Sequence, residues 1–154
     1  MRRNKNRILL ISLLLSLSLV GCESCTKGVN TTPFTSSVRA NDDIASGIKI
    51  MVAAEANLEK QSLISPQEGL KIIEGLTSLN GANNQYNSDL SAAILSGNKS
   101  ALPASLAALR KAVTDLNANG VLGIKSDRAK QVFAITMESI NISLGILEQF
   151  ANKP

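Results

Sequence analysis

Histidine and tryptophan are absent from this 154-residue chain, aromatic side chains make up 3% of it, and only two cysteines and four prolines occur. Each scarcity closes a route. Without His there is no Ser-His-Asp triad, no Cys-His pair and no imidazole metal ligand. Two Cys cannot build a disulfide framework, so any fold must stand on its core. Apolar/polar alternation at period two is missing, which argues against strands. Long apolar runs are also missing: the longest, Ile8–Val20, has 13 residues of Leu, Ile, Val and Ser, whereas a membrane-spanning helix needs about 20. An excess of one charge is missing too, once the head is set aside. The chain has 16 Lys/Arg and 12 Asp/Glu, but Arg2, Arg3, Lys5 and Arg7 account for the whole difference. From Cys22 onward the charges balance, and no composition-level case for nucleic acid survives.

What is present at the head is a basic n-region, Met1–Arg7, followed by the short apolar run. Such a run has the length of a secretory h-region, and the positive charges ahead of it hold its start in the cytoplasm. Then comes Leu19-Val20-Gly21-Cys22. This tetrapeptide resembles the lipobox of bacterial lipoproteins: Leu, a small or aliphatic residue, Gly or Ala, then Cys. The resemblance covers residues 1–22 only. It implies cleavage between Gly21 and Cys22 and acyl chains carried on Cys22, with residues 1–21 removed as a signal peptide. One acyl chain binds a bilayer marginally and two hold firmly. The mature protein is therefore expected to be lipid-anchored in the cell envelope without a transmembrane helix. Glu23, where an Asp would favour inner-membrane retention, leans toward the periplasmic leaflet of the outer membrane. Cys25 then has no intramolecular partner. Its role stays open between a free thiol, a link to another chain and no role.

Thr26 to Asn41 is rich in Thr, Ser and Asn and poor in large apolar residues. Residues 22–41 therefore read as a lipidated N-terminus followed by a flexible linker. From Asn41 the pattern becomes helical. Ile44, Ile48, Met51, Glu55 and Leu58 step by 4, 3, 4 and 3, predicting a first helix over about 42–62. Ser65-Pro66-Gln67-Glu68 is a capping box with Pro at the first helical position. It opens a second helix, about 66–96, carrying Leu70, Ile73, Leu76 and Leu79. Ala82, Tyr86, Leu90 and Ala93 keep the stripe running. One long helix, with room for a bend near Gly81, is preferred over two helices with a turn at Asn80-Gly81.

Ser100 is a candidate cap for a third helix, about 101–118, with Leu102, Leu106, Leu109, Val113 and Leu116 as its seam. Asn119-Gly120 reads as a left-handed stop. Ser126 or Asp127 starts a fourth helix, about 127–151. Phe133, Met137, Ile140, Leu144 and Leu147 form its face, broadened by Val132, Ile135, Ile142, Ile146 and Phe150. So wide a face predicts the most buried helix. The expected fold is all-α, an antiparallel four-helix bundle over 42–154.

Chemistry-bearing groups are sparse. The carboxylates lack the His partners of a bundle di-metal site, and Asp42-Asp43 is no calcium loop. No metal or cofactor is expected beyond the covalent lipid on Cys22. The carboxylates read as solvated helix faces, and Glu55, on a core stripe, is the one acid whose burial is worth checking. The most unusual local composition surrounds the sole Tyr. Asn83, Asn84, Tyr86 and Asn87 are candidate partner-binding residues, read either as a hydrogen-bonding surface or as a solvated helix face. With no nucleophile–base pair, enzyme activity is not expected. The sequence favours a membrane-anchored envelope lipoprotein whose helical module binds another envelope protein or serves structurally. Its partners would be the bilayer and that protein, with no nucleic acid. The alternative is a carrier of a small ligand or lipid in a cavity between helices.

Overall fold

The computed structural model describes residues 32–152. Four helices follow one another: α1 (Pro33–Lys60), α2 (Pro66–Ser96), α3 (Leu102–Asp115) and α4 (Asp127–Ala151), with a π-helical turn, Leu116–Val121, extending α3. No strand occurs among the described residues. α1 packs on α2 and α4, α2 on α3, and α3 on α4, while the diagonal pairs stay apart. Phe34, at the start of α1, meets Phe150, at the end of α4, with ring centroids 5.1 Å apart. Gly47 in mid-α1 lies against Ile140 and Thr136 in mid-α4. These contacts fix α1 and α4 as antiparallel, and the expected four-helix bundle is the fold. Gly21 and Cys22, and with them the cleavage and lipidation, lie outside the described residues.

Helix starts follow local chemistry. At α2 the Glu68 N–H donates to Ser65 Oγ at 3.3 Å while the Ser65 N–H donates to Glu68 Oε2 at 2.7 Å, a complete capping box. The other carboxylate oxygen, Oε1, accepts the Lys125 N–H at 2.8 Å, so the same side chain also ties down the connection between α3 and α4. Ser126 caps α4 by accepting from the Ala129 N–H at 3.3 Å. α1 ends in a Schellman motif: the Leu63 N–H donates to the Leu58 carbonyl and the Ser62 N–H to the Glu59 carbonyl, both at 2.9 Å. Ser62 takes the left-handed position with φ 56°. The second helix is continuous through Gly81, as preferred from its stripe, and ends at Gly97, whose φ of 72° only glycine adopts without strain.

Three expectations are corrected. First, α1 starts at Pro33 rather than near residue 42, so residues 33–41 are helix and not linker. Thr32 caps it by accepting from the Thr35 N–H, and Pro33 sits at the first helical position. The added turns bury Ser37, Ala40 and Asn41, small or polar side chains that carry little hydropathy. Second, Ser100 does not cap α3. Its N–H donates to Asn98 Oδ1, and Ala101 occupies the cap position without a side-chain bond.

Third, Asn119-Gly120 is not a left-handed stop. The chain widens into the π turn, where the Leu122 N–H donates to the Asn117 carbonyl at 2.9 Å. Five residues along an α-helix turn about 500°, leaving Leu116 and Val121 about 140° apart. Widening the turn lets both be buried. Gly120 is instead buried against Leu116 and Ile72, where a Cβ would lie 3.3 Å from Leu116 Cδ1 and 3.6 Å from the Ile72 Cα.

The core takes Ile44, Ile48, Met51, Leu58 from α1 and Leu102, Leu106, Leu109, Val113 from α3, all as expected. On α2 the stripe is rotated: Ile72 is buried, Ile73 half-buried and Leu70 exposed. At Gly75 a Cβ would sit 2.7 Å from Leu116 Cδ1 and 3.3 Å from the Leu116 Cα. That closeness pulls α2 toward the π turn and selects Ile72, on the side of Gly75, for the core.

Candidate functional site

The polar patch around the sole Tyr divides in two. Asn84 and Asn87 are exposed, but Asn83 and Tyr86 are buried, Tyr86 completely. A helix turning 100° per residue places 83 and 86 on the stripe of Leu79 and Leu90, so tertiary packing takes them inward. The candidate binding surface is thereby corrected: its Tyr and one of its three Asn residues belong to the core. Burial pushes the Tyr86 phenol up to about 12. Tyr86 Oη, Asn83 Oδ1 and Asn41 Oδ1 have no protein hydrogen-bond partner.

Glu55 lies against Gly69, which fixes the antiparallel register of α1 and α2. Counting fourteen residues back from Glu55 and fourteen on from Gly69 reaches Asn41 and Asn83, so the two amides stand at one level. An unsatisfied buried polar group costs about 1–3 kcal/mol.

Glu55, on the core stripe of α1, is buried, a departure from the solvated face expected of the carboxylates. Its carboxyl is raised above the usual 4.5 by burial first and then by the neighbouring Glu59. Glu68 is the converse, lowered to about 2 by the Ser65 N–H, the Ser65 hydroxyl and the Lys125 N–H. Among the described residues no group of three or more acids or Cys could hold a metal ion.

The helix expected to be most buried carries the largest apolar surface exposure. Val132 (40%), Ile135 (73%), Ile142 (62%) and Ile146 (37%) are open to solvent, and the core is reached by Ala129, Phe133, Met137, Ile140, Leu144, Leu147 and Phe150. The broad face of α4 is therefore two stripes. With the exposed Ser139, the outer one runs Val132, Ile135, Ser139, Ile142, Ile146, stepping 3, 4, 3 and 4. That is the spacing by which one helix accepts another. The register at Gly47 brings the exposed Ile50 of α1 to the level of Ile135. No sequence signal separated the two stripes, because both are apolar and only contacts tell which one meets the bundle.

The clefts are open grooves. One, of about 690 Å³, lies at the loop end of the bundle between Ser62–Ser65, Glu68 and Lys125. Another lies over Gly75 and Asp115. The buried apolar side chains form one continuous core. Among the described residues no helix is long and apolar enough to cross a membrane. No family model, curated protein or solved structure matches the chain.

Proposed function

We propose that this chain is a lipid-anchored envelope protein whose four-helix domain binds a helix of a second envelope protein along the outer stripe of α4. The lipid comes from the resemblance of Leu19–Cys22 to a lipobox, with Cys22 as the acylated residue. The binding reading is carried by one observation, the exposed 3-4-3-4 stripe from Val132 to Ile146. A helix laid on it would find apolar anchors at every turn except Ser139, the pattern of helix-in-groove recognition.

Magnitude supports coupling the two halves. The exposed parts of Val132, Ile135, Ile142 and Ile146 together equal about two whole side chains. Burying them is worth on the order of 3–6 kcal/mol, against an association cost of at least about 4 kcal/mol. Such a surface binds weakly from solution. Confinement of both partners to one membrane raises their effective concentration and makes a weak interface serviceable.

The test is site-specific photo-crosslinking in intact cells. A crosslinker at Ile135 or Ile142 is expected to trap one discrete partner, and one at the exposed Leu70 of α2 is not. The double variant Ile135→Asp/Ile142→Asp should lose the adduct while keeping its helicity. Equal trapping from all three positions would reject the α4 surface. Retained palmitate labelling in Cys22→Ser would reject the anchor.

A further inference from the structure

The outer stripe of α4 repeats itself. Val132, Ser139 and Ile146 stand seven residues apart, as do Ile135 and Ile142, so two kinds of layer alternate along about 21 Å of helix. Its middle member is the exposed Ser139. A hydroxyl both donates and accepts, so another hydroxyl set opposite satisfies it. The two flanks of the stripe differ. Toward α1, Thr136 lies against Gly47 and the exposed Ile50 stands beyond it. Toward α3, the exposed Glu138 borders a groove of about 460 Å³ that Ala134, Asn141 and Ile142 help to line. Glu138 and Glu148 are the only charges from Gln131 to Gln149, and Glu148 is held by Arg110.

We propose that the helix received by this stripe is α4 of a second copy of the chain, paired parallel and in register. The proposal rests on the stripe and anchor readings above and names the partner. Two independent constraints choose the same arrangement. The first is charge. Antiparallel pairing about Ser139 would set Glu138 beside its counterpart in the other copy, and like charges so placed repel. A two-fold axis along the seam instead sets each α1 flank against the α3 flank of the other copy. Glu138 then avoids its counterpart, and Ile50, at the level of Ile135, turns toward the groove at Ala134. The second constraint is the anchor. Phe34 meets Phe150, so α1 starts at the end where α4 finishes. An antiparallel pair would hold its two anchor ends roughly 30 Å apart along the seam. The ten residues from Cys22 to Thr32 reach at most about 36 Å when fully extended, so one tether would be drawn nearly straight. A parallel pair delivers both chains to one end, and so to one bilayer. An unrelated partner would need its own match to Ser139 and its own anchor at that end. A second copy brings both.

The test is disulfide capture in intact membranes, using full-length lipidated chains that carry Cys25→Ser so that no other thiol competes. Val132→Cys, Ile146→Cys and, as a control on α2, Leu70→Cys are oxidised with copper phenanthroline and run without reductant. Parallel pairing predicts a species of twice the chain's mass from Val132→Cys and from Ile146→Cys, several-fold above that from Leu70→Cys, because each new thiol meets its own counterpart. Equal capture at all three positions reports collision and overturns the pairing. A dimer that forms only when Val132→Cys and Ile146→Cys are expressed together is antiparallel and overturns the arrangement. Absence of the dimer at either stripe position overturns parallel self-pairing. If a photo-crosslinker at Ile135 then still traps a protein of another mass, the stripe reading stands without it; if it traps nothing, both fall. All three positions are exposed, and circular dichroism separates lost pairing from lost folding.

Discussion

Replacing Tyr86 discriminates sharply between a surface and a core reading of the polar patch. The side chain is fully buried and its hydroxyl has no protein partner. Tyr86→Phe keeps the ring and removes the orphaned oxygen. Relief of desolvation is worth about 1–3 kcal/mol. The void left by one oxygen, about 20 Å³, returns about 0.5 kcal/mol of that gain. The variant should therefore be more stable by about 0.5–2.5 kcal/mol, a rise of roughly 2–10 °C in Tm for a domain of this size. Tyr86→Ala deletes the ring as well and should cost about 3–5 kcal/mol, so any loss of partner capture would come from unfolding.

Thermal and urea unfolding followed at 222 nm give both values. Because Tyr86 is the only Tyr and Trp is absent, phenolate absorbance reports this residue alone. It should not ionise in the folded protein until about pH 12. A Phe variant less stable than the parent by 1 kcal/mol or more, or ionisation near the ordinary value of about 10, would refute the burial argument.

Gly75→Ala would press a methyl into Leu116, and overpacking against backbone should cost about 1–3 kcal/mol in urea unfolding. Ser62→Gly relieves a left-handed residue in the Schellman turn and should stabilise by up to about 1 kcal/mol. Two carboxylates give stability opposite pH slopes. Glu55 is raised above 4.5, so its buried charge destabilises at neutral pH, and that penalty is relieved as pH falls through its folded value. Glu55→Gln should raise Tm at pH 7 and remove this limb. Glu68, lowered to about 2, contributes stability that is whole above 4.5 and lost between 4.5 and 2. Glu68→Ala should cost about 0.5–2 kcal/mol at pH 7 and flatten the acid limb of a Tm–pH profile.

Much of the bundle was legible because its seams are regular. The stripes of α1 and α3 and the capping box of α2 lie where their spacing placed them. The first nine residues of α1 were missed although Thr32-Pro33 repeats the signal of Ser65-Pro66. Ser37, Ala40 and Asn41 make the segment read as too polar to fold, yet all three are buried. The π turn was illegible for a different reason: Asn119-Gly120 has the chemistry of a stop, and the burial of both Leu116 and Val121 is a matter of packing that spacing does not show. On the candidate site, composition marked Tyr86 as unusual but could not tell inside from outside. The α4 stripe was visible as hydrophobicity and was assigned to the core, since two apolar stripes on one helix leave a single-chain reading no means of choosing between them.

The widened turn at Leu116–Val121 holds one residue more than an α-helix of equal span. A helix normally transmits an insertion along its whole length, rotating every downstream side chain by about 100°. Here the surplus is absorbed within six residues and the chain is handed on to α4 through a tether at Lys125 that depends only on a backbone N–H. This corner of the molecule is accordingly where changes in chain length can accumulate during evolution without rephasing the rest.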